Sequence, residues 1–227
     1  MDLAPERTPG DTRLTYFATG GGPAMMEAMW EGRIGMIVTY GHRLVPDGAQ
    51  WIMDNSCFGT RYPYPGDDEY CKRIKEMSWK KKSCWFVTAP DVPFDAVGSL
   101  DKSRPMFSRI RELGFPVAFV GQDGIEDMDV PWEEFDTFFI GGSTEWKIGP
   151  GGRKAVSQAL DHGKAVHMGR VNSLGRMWYA KQIGCMSADG TMLRYAPDKN
   201  LPKLLKFLDQ VNGGGFIPYL RAVAPVR

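Results

Sequence analysis

Asp189 closes the stretch Gly184-Cys185-Met186-Ser187-Ala188-Asp189-Gly190, and Asp54 closes an earlier one, Trp51-Ile52-Met53-Asp54-Asn55. A third carboxylate, Asp91, stands in Ala89-Pro90-Asp91-Val92-Pro93. Carboxylates at the ends of different apolar runs can share a bond cleavage, one as nucleophile and the other as proton shuttle. Singly, each has a plainer reading: Asp54 and Asp91 suit turns, and Asp189 could cap something short. Gln122, after the apolar run Val117–Val120, could satisfy a loop backbone, and Gly141-Gly142 could be a tight turn. Together they place carboxylates, a carboxamide and bare glycine backbone, flanked by aromatics such as Phe58, at a series of run ends. That set suits a flat, polar heterocycle better than a phosphate or a metal. The Gly20–Gly22 run lacks the spacing of a phosphate or dinucleotide loop.

Elements that could position these groups alternate along the chain. Strand-like runs cover Leu14–Thr19, Ile34–Tyr40, Gln50–Asp54, Ser83–Ala89, Pro116–Gly121, Thr137–Gly141, Ala165–Val171 and Gly184–Asp189. Helical stretches fit between most of them, at Ala24–Glu31, Ser103–Leu113, Lys154–Asp161 and Leu174–Lys181, with Leu201–Val211 closing over the eighth strand. Such alternation predicts an α/β protein, a compact (β/α)8 barrel, which gathers strand ends onto one face. One link breaks the rule. Only nine residues separate Tyr40 from Gln50, whereas a parallel crossover takes about a dozen or more. The link is therefore either helix-free or evidence of an antiparallel pair. The aromatic- and proline-rich loop Cys57–Gly66, directly after Asp54, has the character of a lid or binding wall.

Composition narrows the class. The 227 residues are 43% apolar and 24% charged with a net charge of +1, enough for a large core in one domain. A whole-molecule field for nucleic acid is excluded, and any such surface must be local. The densest basic run is Lys80-Lys81-Lys82, which a solvated helix end also explains. Cysteines 57, 71, 84 and 185 stand singly, and histidines 42, 162 and 167 complete no ligand spacing, so no metal or other cofactor is expected. Residues 1–13 read as a flexible terminus without a signal core, and no run reaches the length of a membrane span. The expectation is a soluble protein of the cytoplasm, the host's if the gene is a phage's.

The motifs Phe139-Ile140-Gly141-Gly142-Ser143, His167-Met168-Gly169-Arg170-Val171 and Ile183–Asp189, with the looser Asp54 and Asp91 motifs, occur in an order that resembles the tRNA-guanine transglycosylase superfamily. The likeness runs from about Leu14 to Val211 and is greatest to the short phage and bacterial relatives that insert 7-deazaguanines into DNA. It implies that Asp189 is the nucleophile and Asp54 the acid/base. It further implies that Asp91 reads the amino and ring N–H edge of the base, Gln122 its carbonyl, and the Gly141-Gly142 backbone approaches it. Phe58 and Met168 would sandwich the ring. The superfamily's zinc-binding cysteine cluster has no counterpart in this sequence, which favours DNA over tRNA. The activity implied is replacement of guanine in DNA by a free 7-deazaguanine such as preQ0, a phage hypermodification that shields DNA from restriction. Lys147, Arg153, Arg170 and Lys80–Lys82 are candidate backbone contacts, chosen from composition. Three rival readings stand beside it: a tRNA-acting transglycosylase, a non-catalytic nucleic-acid-binding barrel, and a small-molecule barrel hydrolase.

Overall fold

The computed structural model describes residues 12–41, 45–58 and 63–213. His42, most of the terminus expected over 1–13, part of the 57–66 loop and the chain after Gly213 lie outside them. Eight parallel strands close into a barrel in sequence order. They are β1 Thr15–Thr19, β2 Gly35–Val38, β3 Trp51–Met53, β4 Cys84–Thr88, β5 Val117–Gly121, β6 Thr137–Ile140, β7 Ala165–Met168 and β8 Ser187–Asp189. All eight expected strands are present, trimmed at their ends. The helices are α1 Pro23–Trp30, α2 Asp67–Glu76, α3 Ala96–Glu112, α4 Thr144–Ile148, α5 Pro150–Asp161, α6 Leu174–Gln182 and α7 Pro197–Asn212. This is a (β/α)8 TIM barrel.

The doubtful link between β2 and β3 resolves as parallel, with Met36 opposite Trp51 and Val38 opposite Met53. Its described residues contain no helix. Helix α2 was not among the expected ones, because only Tyr70 and Ile74 of it are buried and the apolar period is thin. It is instead supported by charge: Asp67, Asp68 and Glu69 fill its first turn and Arg73 and Lys75 its last, each opposing the helix dipole. Helix α3 starts seven residues before the expected Ser103, because the Asp95 side chain caps it by accepting the Gly98 N–H at 2.9 Å.

Side-chain alternation divides the strands between two cores. Phe17, Ile37, Ile52, Ala118, Val120 and Phe139 fill the barrel interior, while their neighbours pack outward under the helices. Strand β4 interrupts the alternation. Trp51 and Met53 pair with Cys84 and Val87, so Ile52 alone faces both Trp85 and Phe86. Both aromatic residues belong to the interior cluster, and Thr88 lies inward beyond them. The extra residue is a β-bulge, a feature commonly found beside functional sites.

Candidate active site

The C-terminal ends of the strands surround a cavity of about 350 Å³. Asp54, Asp91, Gln122, Gly141, Gly142 and Asp189 all line it, as does Phe58. The strand pleat explains this convergence: Asp54 follows inward Ile52, Gln122 follows inward Val120, and Gly141 follows inward Phe139, each by two positions.

Asp189 is oriented on both oxygens. Arg170 N–H donates to Oδ1 at 2.9 Å, and His167 Nε2 lies 3.0 Å from Oδ2. The other imidazole nitrogen, Nδ1, lies 2.8 Å from Ser187 Oγ. His167 is fully buried among Phe17, Phe86 and Phe139, whose rings pack against it with centroids 6.2, 5.2 and 4.4 Å away. With the ring proton on Nε2, the imidazole donates to the carboxylate and accepts the Ser187 O–H at Nδ1.

Asp54 has a different environment. Its Oδ1 accepts the Ser56 N–H at 2.7 Å, and Ser56 takes a left-handed φ of +62° to make that turn. Burial pushes its carboxyl up to about 6, with the Asp189 and Asp91 charges adding to the rise and the Ser56 N–H opposing it. Asp54 therefore changes protonation close to neutral pH, as a group that gives and takes a proton must.

Asp91 and Gln122 form one network. Asn55 Nδ2 donates to Asp91 Oδ1 at 2.8 Å, and Gln122 Nε2 donates to Oδ2 at 2.6 Å. Gln122 Oε1 accepts from Phe94 N–H at 3.0 Å and from Gly142 N–H at 2.8 Å. Burial raises the Asp91 carboxyl, opposed by the two amide donors. Each Asp91 oxygen keeps a lone pair, and Gln122 keeps one N–H, for a ligand edge. Gly142 holds φ +58°, and a Cβ there would come within 2.4 Å of Trp146. The turn after β6 is tied further by Asp123, which accepts both the N–H and the O–H of Ser143.

The mouth carries two exposed aromatic rings. Phe58 and Phe94 are 63% and 52% exposed and meet edge to face at 5.8 Å. The Arg170 guanidinium lies 5.4 Å from the first ring and 5.8 Å from the second, and its Nη2 donates to Gly142 O. Phe94 and Arg170 hold φ values of +67° and +61°. Backbone strain of this kind costs about 1–3 kcal/mol at each position and clusters at binding sites.

Several expected site residues lie elsewhere. Met168 does not reach the cavity: the alternation that turns His167 and Gly169 inward turns Met168 outward into the core beneath the helices. Lys147 is no surface cation. It is 4% exposed, donates from Nζ to Gly169 O at 2.6 Å, and is pushed down to about 7 by burial and then by Arg170. Lys80, Lys81 and Lys82 occupy a 3-10 turn, Ser78–Ser83, that leads into β4, at the pole opposite the cavity. Lys80 is paired there with Asp47. Arg153 sits in the first turn of α5, bonded to Ile148 O at 2.9 Å and outside the cavity lining. Only Arg170 of the six basic candidates lines the site.

Residues the sequence reading did not assign are Asn55, Phe94, His167, Ser187 and Arg194. Inward parity with Asp189 could have found His167 and Ser187. Nothing in the pattern around Pro93 signals that Phe94 would stand over the mouth. Among the described residues, no three His, Cys, Asp or Glu side chains are grouped to hold a metal ion, and no helix is long and apolar enough to cross a membrane.

No protein-family model matches this chain, and no curated protein does. Solved structures share its fold. Tryptophan synthase from M. tuberculosis, in a ligand-free form, is similar with a TM-score of 0.55 and 14% identity, over 91% of this chain and 94% of that one. The native KDPGal structure is similar with a TM-score of 0.53 and 12% identity, over 87% of this chain and 93% of that one. At such identities the likeness carries the barrel and none of the chemistry.

Proposed function

We propose that this chain is a base-exchange transglycosylase that replaces guanine in DNA with a free 7-deazaguanine such as preQ0. The observation that carries the reading is that Asp54 and Asp189 face one cavity in contrasting environments. Asp189 has each oxygen held by a donor, as an oriented nucleophile requires. Asp54 is partly buried in the cavity wall and is pushed up to about 6, as a proton shuttle requires. The choice of DNA over tRNA comes from the resemblance to the short DNA-acting branch.

The chemistry runs in two halves. An Asp189 oxygen bonds to C1′ of the deoxyribose as the N-glycosidic bond breaks, and the leaving guanine takes a proton from Asp54. The free 7-deazaguanine then enters, gives its ring proton to Asp54, and attacks C1′, releasing the Asp189 carboxylate. Protons and charge balance over the cycle. Asp91, fixed by Asn55 and Gln122, reads the donor edge of either base. Guanine must leave the stack to reach the cavity, so the substrate is a flipped or single-stranded nucleotide.

The test is denaturing electrophoresis of the protein with labelled guanine-containing DNA, paired with mass analysis of the product nucleosides. The expected results are a covalent adduct that disappears in Asp189→Asn, and incorporation of preQ0 by the unmodified protein. An adduct that persists in Asp189→Asn and vanishes in Asp54→Asn reverses the two roles. Absence of both the adduct and the incorporation refutes the reading.

A further inference from the structure

We propose that the rim above β7 and β8, built by Arg170, Arg176 and Arg194, is a phosphate site that holds the nucleic-acid backbone beside the reacting nucleotide. This rests on the base-exchange reading for the direction in which the substrate lies. The base-reading groups Asp54, Asp91, Gln122 and Gly142 follow β3 to β6, whereas the nucleophile Asp189 ends β8. Base and phosphates leave a nucleotide's sugar on different sides. With C1′ at Asp189 and the base towards β3–β6, the phosphates fall on the loops after β7 and β8, where barrels commonly place a phosphate.

Those loops carry the charge for it. Arg170 follows β7, Arg194 follows β8, and both line the cavity together with Asp189. Arg176 lies in the first turn of α6, and its Nη1 reaches Arg170 O at 3.4 Å. Among the described residues none of the three guanidinium groups is ion-paired with a carboxylate within 4.0 Å. Arg104, Arg109 and Arg111, by contrast, are paired with Glu134, Asp68 and Asp136. The field is felt nearby, because both Arg170 and Arg176 help to depress Lys147. Phe58 and Phe94 hold the Arg170 guanidinium through their ring faces, which orders it without neutralising it.

The backbone at this rim is also fixed by close packing. A Cβ on Gly190 would lie 2.3 Å from Asn172 Oδ1 and 2.5 Å from Tyr16 Oη, so residue 190 can carry no side chain. Asn172 Oδ1 also accepts the Thr191 N–H at 2.7 Å, fixing the loop that presents Arg194. Guanidinium groups on fixed loops suit the paired oxygens of a phosphodiester.

The experiment measures binding of a labelled single-stranded, guanine-containing oligonucleotide to the Asp189→Asn protein across a salt series. Arg176→Gln and Arg194→Gln should each weaken binding and make the slope of log affinity against log salt shallower by about 0.7, the loss of one phosphate contact. Arg194→Lys should restore most of the slope, since a point charge still pairs with phosphate. Lys82→Gln, at the opposite pole, should leave slope and affinity unchanged. Thermal melting of each variant shows whether the fold is kept. Slopes and affinities in both glutamine variants equal to the parent's, or no binding by the parent, overturn the proposal. Arginine-dependent binding without base exchange by the unmodified protein leaves the phosphate site standing and refutes the transglycosylase reading. Exchange with unaltered slopes does the reverse.

Discussion

Replacing Asp54 by asparagine should make the protein more stable and less active. The amide keeps an Oδ1 that accepts the Ser56 N–H, so the turn after β3 survives, but it carries no charge. The carboxyl rises from its ordinary 3.8 to about 6 in the folded protein, mainly through burial. Between those values the folded state binds more protons than the unfolded chain, so stability falls as pH rises. The penalty is absent below 3.8 and complete above about 6. At 1.36 kcal/mol per pH unit it reaches about 3 kcal/mol, a ceiling because Asp54 still faces the cavity's water. Urea unfolding of the parent and Asp54→Asn at neutral pH should show a gain of up to about 3 kcal/mol, or roughly 6–12 °C in melting temperature. The gain should shrink as pH is lowered towards 4. Base exchange should meanwhile slow by about 10²–10⁴-fold. A variant no more stable than the parent at neutral pH, or a gain that does not shrink in acid, refutes the argument.

Three other substitutions probe the site. His167→Phe fits the aromatic box but leaves Asp189 Oδ2 without its donor, and exchange should slow about 10–100-fold, the cost of one hydrogen bond to a charged group; an unchanged rate would remove His167 from the machinery. Gln122→Ala deletes the bonds to Asp91, Phe94 and Gly142 together. It should lose about 1–3 kcal/mol in urea unfolding and weaken saturation by the deazaguanine, and normal saturation would place the base elsewhere. Lys147 is depressed from 10.5 to about 7, so the unfolded chain binds the extra proton between those values and stability should rise with pH across them. Lys147→Met should flatten that rise, as unfolding at pH about 7 and about 9.5 would show, and an unaltered rise would assign it to other groups.

The barrel was legible because its signal repeats: eight apolar runs of similar length, mostly separated by helical stretches. Asp54, Asp91, Gln122 and Asp189 were legible as run-ending polar groups, and the resemblance gave them roles. Met168 was misplaced because motif position says nothing of pleat parity, and its neighbours His167 and Gly169 take the inward side. Lysines 80–82 were misplaced because composition does not say which pole of a barrel a loop occupies. Lys147 was misread because a lone lysine in a short helix looks solvated, and only tertiary packing buries it. The contacts of Phe94 depend on a left-handed backbone at a non-glycine residue, which no pattern announces.

The extra residue in β4 settles which side chains of that strand see the substrate. Upstream of it the odd-numbered Trp85 points inward, and beyond it the even-numbered Phe86 and Thr88 do so. The strand thus changes its reading frame once, a single step before the segment that carries Asp91. Deleting Trp85 or Phe86 would restore strict alternation with Val87 still outward and Thr88 still inward, whereas straightening the bulge at full length would send Val87 into the barrel and Thr88 under the helices. The bulge, at this one place, is as much a determinant of the site as chemistry, because it decides which face Thr88 and the segment after it present.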